Sequence, residues 1–227
     1  VMAEVELSNG LRLDVVSGAR LTLSGRVSGV GDVVKVGLGV ATMLGENTYG
    51  GRTVVEEGTL EIGNGGKSVG GSVGMGSVEV KAGATLRFNR TDRVVEVENV
   101  ISGDGMVEVM GTVTLKNNNT FRGDFVVGPG GGGVGGKVVL GGADPFGRSM
   151  VTLSGGLVEV ASGVTDLKVN NPIKLEGENT VTMGGETKLT LGGQLSGEGG
   201  VVKEGEGKMV LTNGTNSYGG GTVVRGG

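Results

Sequence analysis

Apolar and polar residues alternate along this chain in runs of only three to five, and nearly every run stops at Gly, Asn or Ser-Gly. Leu11-Arg12-Leu13-Asp14-Val15, Val78-Glu79-Val80, Val95-Glu96-Val97-Glu98, Val107-Glu108-Val109, Val158-Glu159-Val160 and Leu189-Thr190-Leu191 each read as a half-buried strand. Strands this short cannot build the broad sheets of a sandwich, so something must stack them. Glycine sharpens the constraint: 52 of 227 residues, about three times the ordinary share of roughly 7%. That excludes an ordinary helical domain. Collagen is excluded as well, because glycine keeps no three-residue period and there are only 3 Pro. With 36% hydrophobic residues the chain folds instead of forming a linker.

One pattern recurs three times: VSGVGDVVKVGLGVATMLGENTYGGRTVV from Val27, ISGDGMVEVMGTVTLKNNNTFRGDFVV from Ile101, and LSGEGGVVKEGEGKMVLTNGTNSYGGGTVV from Leu195. Ser28, Ser102 and Ser196 each open a Ser-Gly-x-Gly turn, and Asn47, Asn119 and Asn216 follow 19, 17 and 20 residues later. Two residues on stand Tyr49, Phe121 and Tyr218, then Gly51, Gly123 and Gly220, then a pair of valines.

Self-similarity at about 20 residues, with three short strands and three turns per unit, is what a parallel β-helix requires. The chain is therefore all-β, a single-stranded parallel β-helix of about 11 coils, a rod on the order of 50 Å long with a dry interior of Val, Leu and Ile. Glycine suits corners with positive φ or close backbone approach, and Asn47, Asn119 and Asn216 suit corners because Asn tolerates the same backbone region and can bond its own backbone. One elongated domain spans 1–227, with repeat copies near 27–64, 101–128 and 195–227. Residues 128–136, seven Gly with one Pro and one Val, read as a projecting loop, and 63–76 as a second.

Composition removes several classes of function. The formal charge is −4, from 20 Lys and Arg against 24 Asp and Glu, and no basic block tracks a phosphate backbone, so nucleic acid is not an expected partner. No apolar run approaches the roughly 20 residues of a membrane-spanning helix, so no direct membrane insertion is expected. No secretory leader opens the chain, and Val1 reads as the start of a trimmed or mature fragment. The chain has 0 Cys and 0 His, so it offers no thiolate metal site, no disulfide and no usual serine-protease triad, and no cofactor is expected.

Residues 195–227 resemble the passenger-associated transport repeat of bacterial autotransporters. The copies at 27–64 and 101–128 resemble it too, with EEGTLEIGNG at 57–66 supplying the motif's tail, and GARLTLSG, GATLRFNR and GGETKLTLGGQLSG are similar to passenger filler coils. The second copy departs by being shorter and by carrying Arg122 and Asp124 where small residues are usual. The resemblance implies a right-handed β-helical passenger that crosses the inner membrane, threads unfolded through its own C-terminal outer-membrane barrel, and folds outside on the cell surface or is released. A chain without Cys suits that route, since a disulfide formed in the periplasm would make a loop that obstructs threading.

Short motifs add little chemistry. Arg122-Gly123-Asp124 is a tripeptide that integrins recognise on exposed loops, but in repeat alignment it replaces Gly50-Gly51-Arg52 and Gly219-Gly220-Gly221, a glycine turn. Gly66-Lys67-Ser68 lacks the earlier glycine of a phosphate loop, having Glu61 there, and Gly128, Gly130 and Gly133 meet dinucleotide spacing without a helix to follow. The sequons at Asn89, Asn118 and Asn213 have a turn-forming reading, since Asn, Gly and Thr crowd turns. Asp14, Asp32, Asp92, Asp104, Asp124, Asp144 and Asp166 are scattered, so the acid and base set of a polysaccharide-active β-helix enzyme is not evident. The expected function is that of a surface rod, adhesive or self-associating, with a host-cell surface, extracellular matrix or another copy of itself as partner. A stalk whose working head lies elsewhere is the second reading, and a glycan-active enzyme the third.

Overall fold

The computed structural model describes residues 4–66, 70–128 and 135–227. These hold 26 strands of two to five residues and no helix. Every paired strand runs parallel to its neighbour, and the chain winds as a β-solenoid of about ten turns. The count falls short of 11 because coils are not uniform. Thr59 pairs with Val40 on one side but with Thr85 on the other, and the longer coil contains the 63–76 segment.

The strands fall into sheets of two, nine, seven, five and three. The nine-stranded sheet shows how alternation becomes a core. Its register places Leu21, Ala41, Leu60, Leu86, Val107, Phe125, Val151, Ile173 and Leu195 in one column. From Ala41 onward this column is buried and points into the solenoid. The next residue of each strand faces out: Thr22, Thr42, Glu61, Arg87, Glu108, Val126, Thr152, Lys174 and Ser196. A slip of one residue would drive Glu61, Arg87 and Glu108 into the apolar interior, so the register is strongly specified.

The coils turn on glycine where nothing else fits. Gly29, Gly103 and Gly197, equivalent in the three copies, have φ of 99°, 103° and 98°, and a Cβ on any of them would collide with the carbonyl oxygen of Leu7, Val80 or Leu175 on the neighbouring coil. Asparagine does not share this task. Among the described residues none but glycine has positive φ, so the expected left-handed backbone at Asn47, Asn119 and Asn216 is corrected.

The three copies do not lie above one another. Copy one places Val27–Gly29, Val33–Val36 and Val40–Met43 in the two-, five- and nine-stranded sheets. Copy two places the equivalent Ile101–Gly103, Met106–Val109 and Thr112–Leu115 in the five-, nine- and seven-stranded sheets, and copy three shifts by one sheet again. Each copy is thus turned about the axis by one face relative to the last. Of 63–76, residues 67–69 lie outside the described residues, while 70–76 run along the wall: Ser72 N–H donates to Gly45 O at 3.3 Å, Met75 N–H to Tyr49 O at 2.8 Å, and Val73 is buried. Of 128–136, residues 129–134 lie outside the described residues.

Candidate functional surface

The recurring residues meet at one corner in each copy. The Oδ1 of Asn47 accepts from Val27 N–H at 2.9 Å, that of Asn119 from Ile101 N–H at 2.7 Å, and that of Asn216 from Leu195 N–H at 2.8 Å. The residue accepted from lies on the neighbouring coil, one position before Ser28, Ser102 or Ser196. Each Asn therefore rivets its corner to the coil beneath. Two of the amides also donate to the coil above, Asn47 to Ser72 O at 2.7 Å and Asn119 to Pro145 O at 2.6 Å. Asn99 and Asn171 act similarly without belonging to a copy, donating to Gly74 O and Gly76 O, and to Gly147 O and Ser149 O. Ser102 adds a bond from its hydroxyl to Val78 O at 3.2 Å.

The aromatics fill the coil behind these corners. Tyr49 and Phe121 are buried, and Tyr218 half-buried on the last described coil. A buried phenol needs a partner. Tyr49 Oη pairs with Thr53 Oγ1 at 2.6 Å and Tyr218 Oη with Thr222 Oγ1 at 2.5 Å. In the second copy both hydroxyls disappear together: Phe121 stands for Tyr, and Phe125 for Thr, with the Phe125 ring edge-on to Phe146 at 5.0 Å. Burial raises the Tyr49 phenol above its ordinary range. Gly51, Gly123 and Gly220 are positions of close approach, where a Cβ would strike the backbone of Gly31, Gly105 or Gly199.

Arg122-Gly123-Asp124 is part of this wall. Arg122 N–H donates to Gly103 O at 2.9 Å and Asp124 N–H to Gly105 O at 3.1 Å, the same bonding that Gly50 and Gly219 make. Both side chains are exposed, but the backbone lies flat on the coil beneath and Asp124 already begins a strand. Of the sequon asparagines, Asn118 and Asn213 serve turns, Asn118 Oδ1 accepting from Ala143 and Asp144 N–H at 2.9 and 3.0 Å and Asn213 Oδ1 from Thr215 N–H at 2.9 Å, while Asn89 donates to the strand residue Glu61 at 3.0 Å.

Two lysines set between glycines turn inward. Lys35 is fully buried, its ammonium donating to Val36 O at 2.8 Å, Gly37 O at 2.6 Å and Glu57 O at 3.0 Å. Lys203 is buried in the same way in copy three, donating to Gly205 O and Gly226 O. Burial pulls the Lys35 pKa down, against the opposing pull of Glu57 and Asp14. Gly37 and Gly205 have φ of 73° and 75°, so the ammonium ties together a tight turn whose carbonyls point inward. Copy two carries Val109 there, and its turn is shorter, with the Gly111 carbonyl accepting from Lys137 N–H at 2.8 Å. The signal was present as Lys-Val-Gly-Leu-Gly and Lys-Glu-Gly-Glu-Gly, but a lysine between glycines reads as solvated.

Outward residues form a bonded lattice across coils. Glu61, nearly buried, accepts from the Arg20 guanidinium at 2.8 Å, Thr42 Oγ1 at 3.1 Å and Asn89, while Arg87 Nε bonds Glu108 at 2.6 Å. Arg90 is buried too, its Nε bonding Asp92 at 3.1 Å and an Nη bonding Gly71 O at 3.2 Å; that bond from Arg90 holds the Asp92 carboxyl below its ordinary range. Openings along the wall are shallow recesses, one lined by residues of 159–165 and 182–187, another by residues of 143–148 and 168–172. Among the described residues no group of three or more His, Cys, Asp or Glu is placed to hold a metal ion. No helix of the structure is long and apolar enough to cross a membrane.

The family model described as Passenger-associated-transport-repeat matches residues 33–62 and 201–227. These two stretches are the ones that carry the Lys35 and Lys203 cradles. The adhesin BmaC autotransporter of Brucella suis biovar 1 (strain 1330) is 32% identical over 207 residues, covering 91% of this chain and 4% of its own length. The chain is an autotransporter passenger segment. This passenger segment spans about 4% of the length of that relative, so it corresponds to a small part of a very long protein. Passenger identity places the segment at the cell surface or in the surrounding medium. No solved structure matches it.

Proposed function

We propose that the segment works through its outer wall, as an adhesive or self-associating part of a passenger rod. The observation that carries this reading is the relative named as an adhesin, similar along 91% of the chain. The geometry supports it: the interior is packed with Val, Leu, Ile and Phe, and the polar side chains that recur from coil to coil stand outside, over shallow recesses. Contacts of that kind are weak one by one and gain strength by repetition along a rod. The partner is a host-cell surface, a matrix component or a second copy, and the segment's own outer-membrane barrel serves during export.

The test is display of this segment on cells that neither clump nor adhere by themselves. Faster settling, or increased attachment to matrix-coated surfaces or epithelial cells, is the expected result. Absence of both would leave the stalk reading standing in its place. Asp124→Glu is expected to leave attachment unchanged, because Arg122-Gly123-Asp124 is bonded flat to the wall instead of raised on a loop; lost attachment to integrin-bearing cells would assign the tripeptide to binding.

A further inference from the structure

A change in the stacking opens a recess in the wall. The strand Asp166–Val169 opens the three-stranded sheet with Lys188–Leu191 and Lys208–Leu211 above it. Beneath it lies a turn, residues 143–148, and among the described residues no backbone hydrogen bond joins the strand to that turn. Thr165 and Val169 carbonyls accept from the coil above, so the peptide groups of Asp166 and Lys168 point down to the open edge. The resulting recess has a volume of about 490 Å³ and is lined by Ala143, Asp144, Arg148, Lys168, Asn170 and Pro172 among others.

Its floor is rigid. Asn118 fixes the N–H groups of Ala143 and Asp144, Phe146 is anchored edge-on against Phe125, Ser149 Oγ donates to Phe146 O at 2.9 Å, and Asn171 donates to Gly147 O and Ser149 O. The charged groups on it are free. While most cations of the wall are paired, Asp144, Arg148 and Lys168 form no ion pair among the described residues, and all three are exposed. Asp144 and Arg148 from the floor, with Lys168 and Asn170 from the strand above, line the recess.

We propose that this recess binds a carboxylate-bearing sugar unit of an acidic polysaccharide, an inference that rests on the adhesive reading for its use in attachment. Arg148 and Lys168 hold the sugar carboxylate by charge-assisted hydrogen bonds, and Asp144 and Asn170 exchange hydrogen bonds with ring hydroxyls. A peptide strand added to the free edge would need pockets for alternate side chains, and the lining offers Ala143 and Pro172 as its apolar surface. A nucleic acid would need a longer track of cations than Arg148 and Lys168, with Arg122 on the coil beneath, provide.

The experiment is calorimetric titration of the 227-residue protein with oligogalacturonate, with a neutral galactose oligomer of equal length, and with polyglutamate. Binding of oligogalacturonate alone is expected, weakened about tenfold by Arg148→Gln and by Lys168→Gln and unchanged by Arg12→Gln, an exposed cation on the strand Leu11–Asp14 at the far edge of the five-stranded sheet. All three positions are exposed, and an unaltered melting curve verifies the fold of each variant. Equal binding of polyglutamate or of the neutral oligomer, equal loss in the Arg12 variant, or no binding would each overturn the proposal. The adhesive reading fails separately: sugar binding without attachment or clumping of displaying cells sinks that reading and keeps the site, and attachment without sugar binding does the reverse.

Discussion

Single side chains hold this fold at points where the backbone cannot satisfy itself. Lys35 is the clearest, because its ammonium replaces water for three inward carbonyls. Lys35→Met removes the donor and leaves those groups partly unsatisfied, so it should lower stability by about 2 kcal/mol, read as a shift in urea midpoint. A midpoint unchanged within error would show that the turn carbonyls find water instead. Asp32 gives a pH signature. Its carboxylate accepts the Arg52 backbone N–H at 2.7 Å and faces the Arg52 guanidinium, and that backbone bond foremost holds its pKa below the ordinary value. A carboxyl depressed in the folded state adds stability in full above its unfolded pKa of about 4, and that stability is lost as pH falls through the lower folded value. Asp32→Asn keeps an acceptor without the titration, so its urea midpoint should drop less between pH 7 and about pH 2 than that of the natural protein. An equal drop would place the acid sensitivity elsewhere, for instance at Asp92.

Pairs within one coil show which sequence differences are compensated. Tyr49→Phe strands the buried Thr53 hydroxyl and Thr53→Val strands the phenol, each costing about 1–2 kcal/mol. The double variant should cost less than the sum, with a coupling of about 1 kcal/mol in a double-mutant cycle; additive losses would mean the two hydroxyls do not depend on one another. The second repeat copy lacks both hydroxyls, with Phe121 and Phe125 at these positions. The strands themselves were legible because period-two alternation survives in runs as short as Val95-Glu96-Val97. Their sheets were not, since the copies rotate by one face and repeat equivalence says nothing of which strand lies beneath which. Asn47, Asn119 and Asn216 recur in the sequence, but neither left-handed backbone nor a bond to their own backbone is what they supply. Their side chains bond to residues some twenty positions away, a partner that only the register of the stack reveals. The recess over 143–148 was illegible for a related cause: it exists because Asp166–Val169 starts a sheet with no strand below it, and neither Arg148 nor Lys168 recurs in any pattern.

At the scale of the rod, each coil depends on its immediate neighbours, which makes whole coils exchangeable and partial coils destructive. Met106 pairs with Asp124 above and Thr85 below, so deleting residues 106–123 should set Asp124–Val127 on Thr85–Phe88 and keep every inward residue inward. Lys137–Leu140 would then meet Val95–Val97, again Val over Val, since Val113 pairs with both Val95 and Val138. The same cut removes Asn119 and Phe121 together with the Ile101-facing corner they fasten, leaving Asn99 to hold the corner below. This shortened chain should unfold cooperatively with a smaller dependence on urea, in proportion to the surface lost. Deleting 106–115 instead removes two strands without a full turn, throws the later coils out of register, and should leave a chain that exposes its apolar column and binds hydrophobic dyes. If both deletions folded equally well, stability would reside in something other than coil-on-coil contact; if neither folded, the rod would be a single cooperative unit whose coils cannot be exchanged.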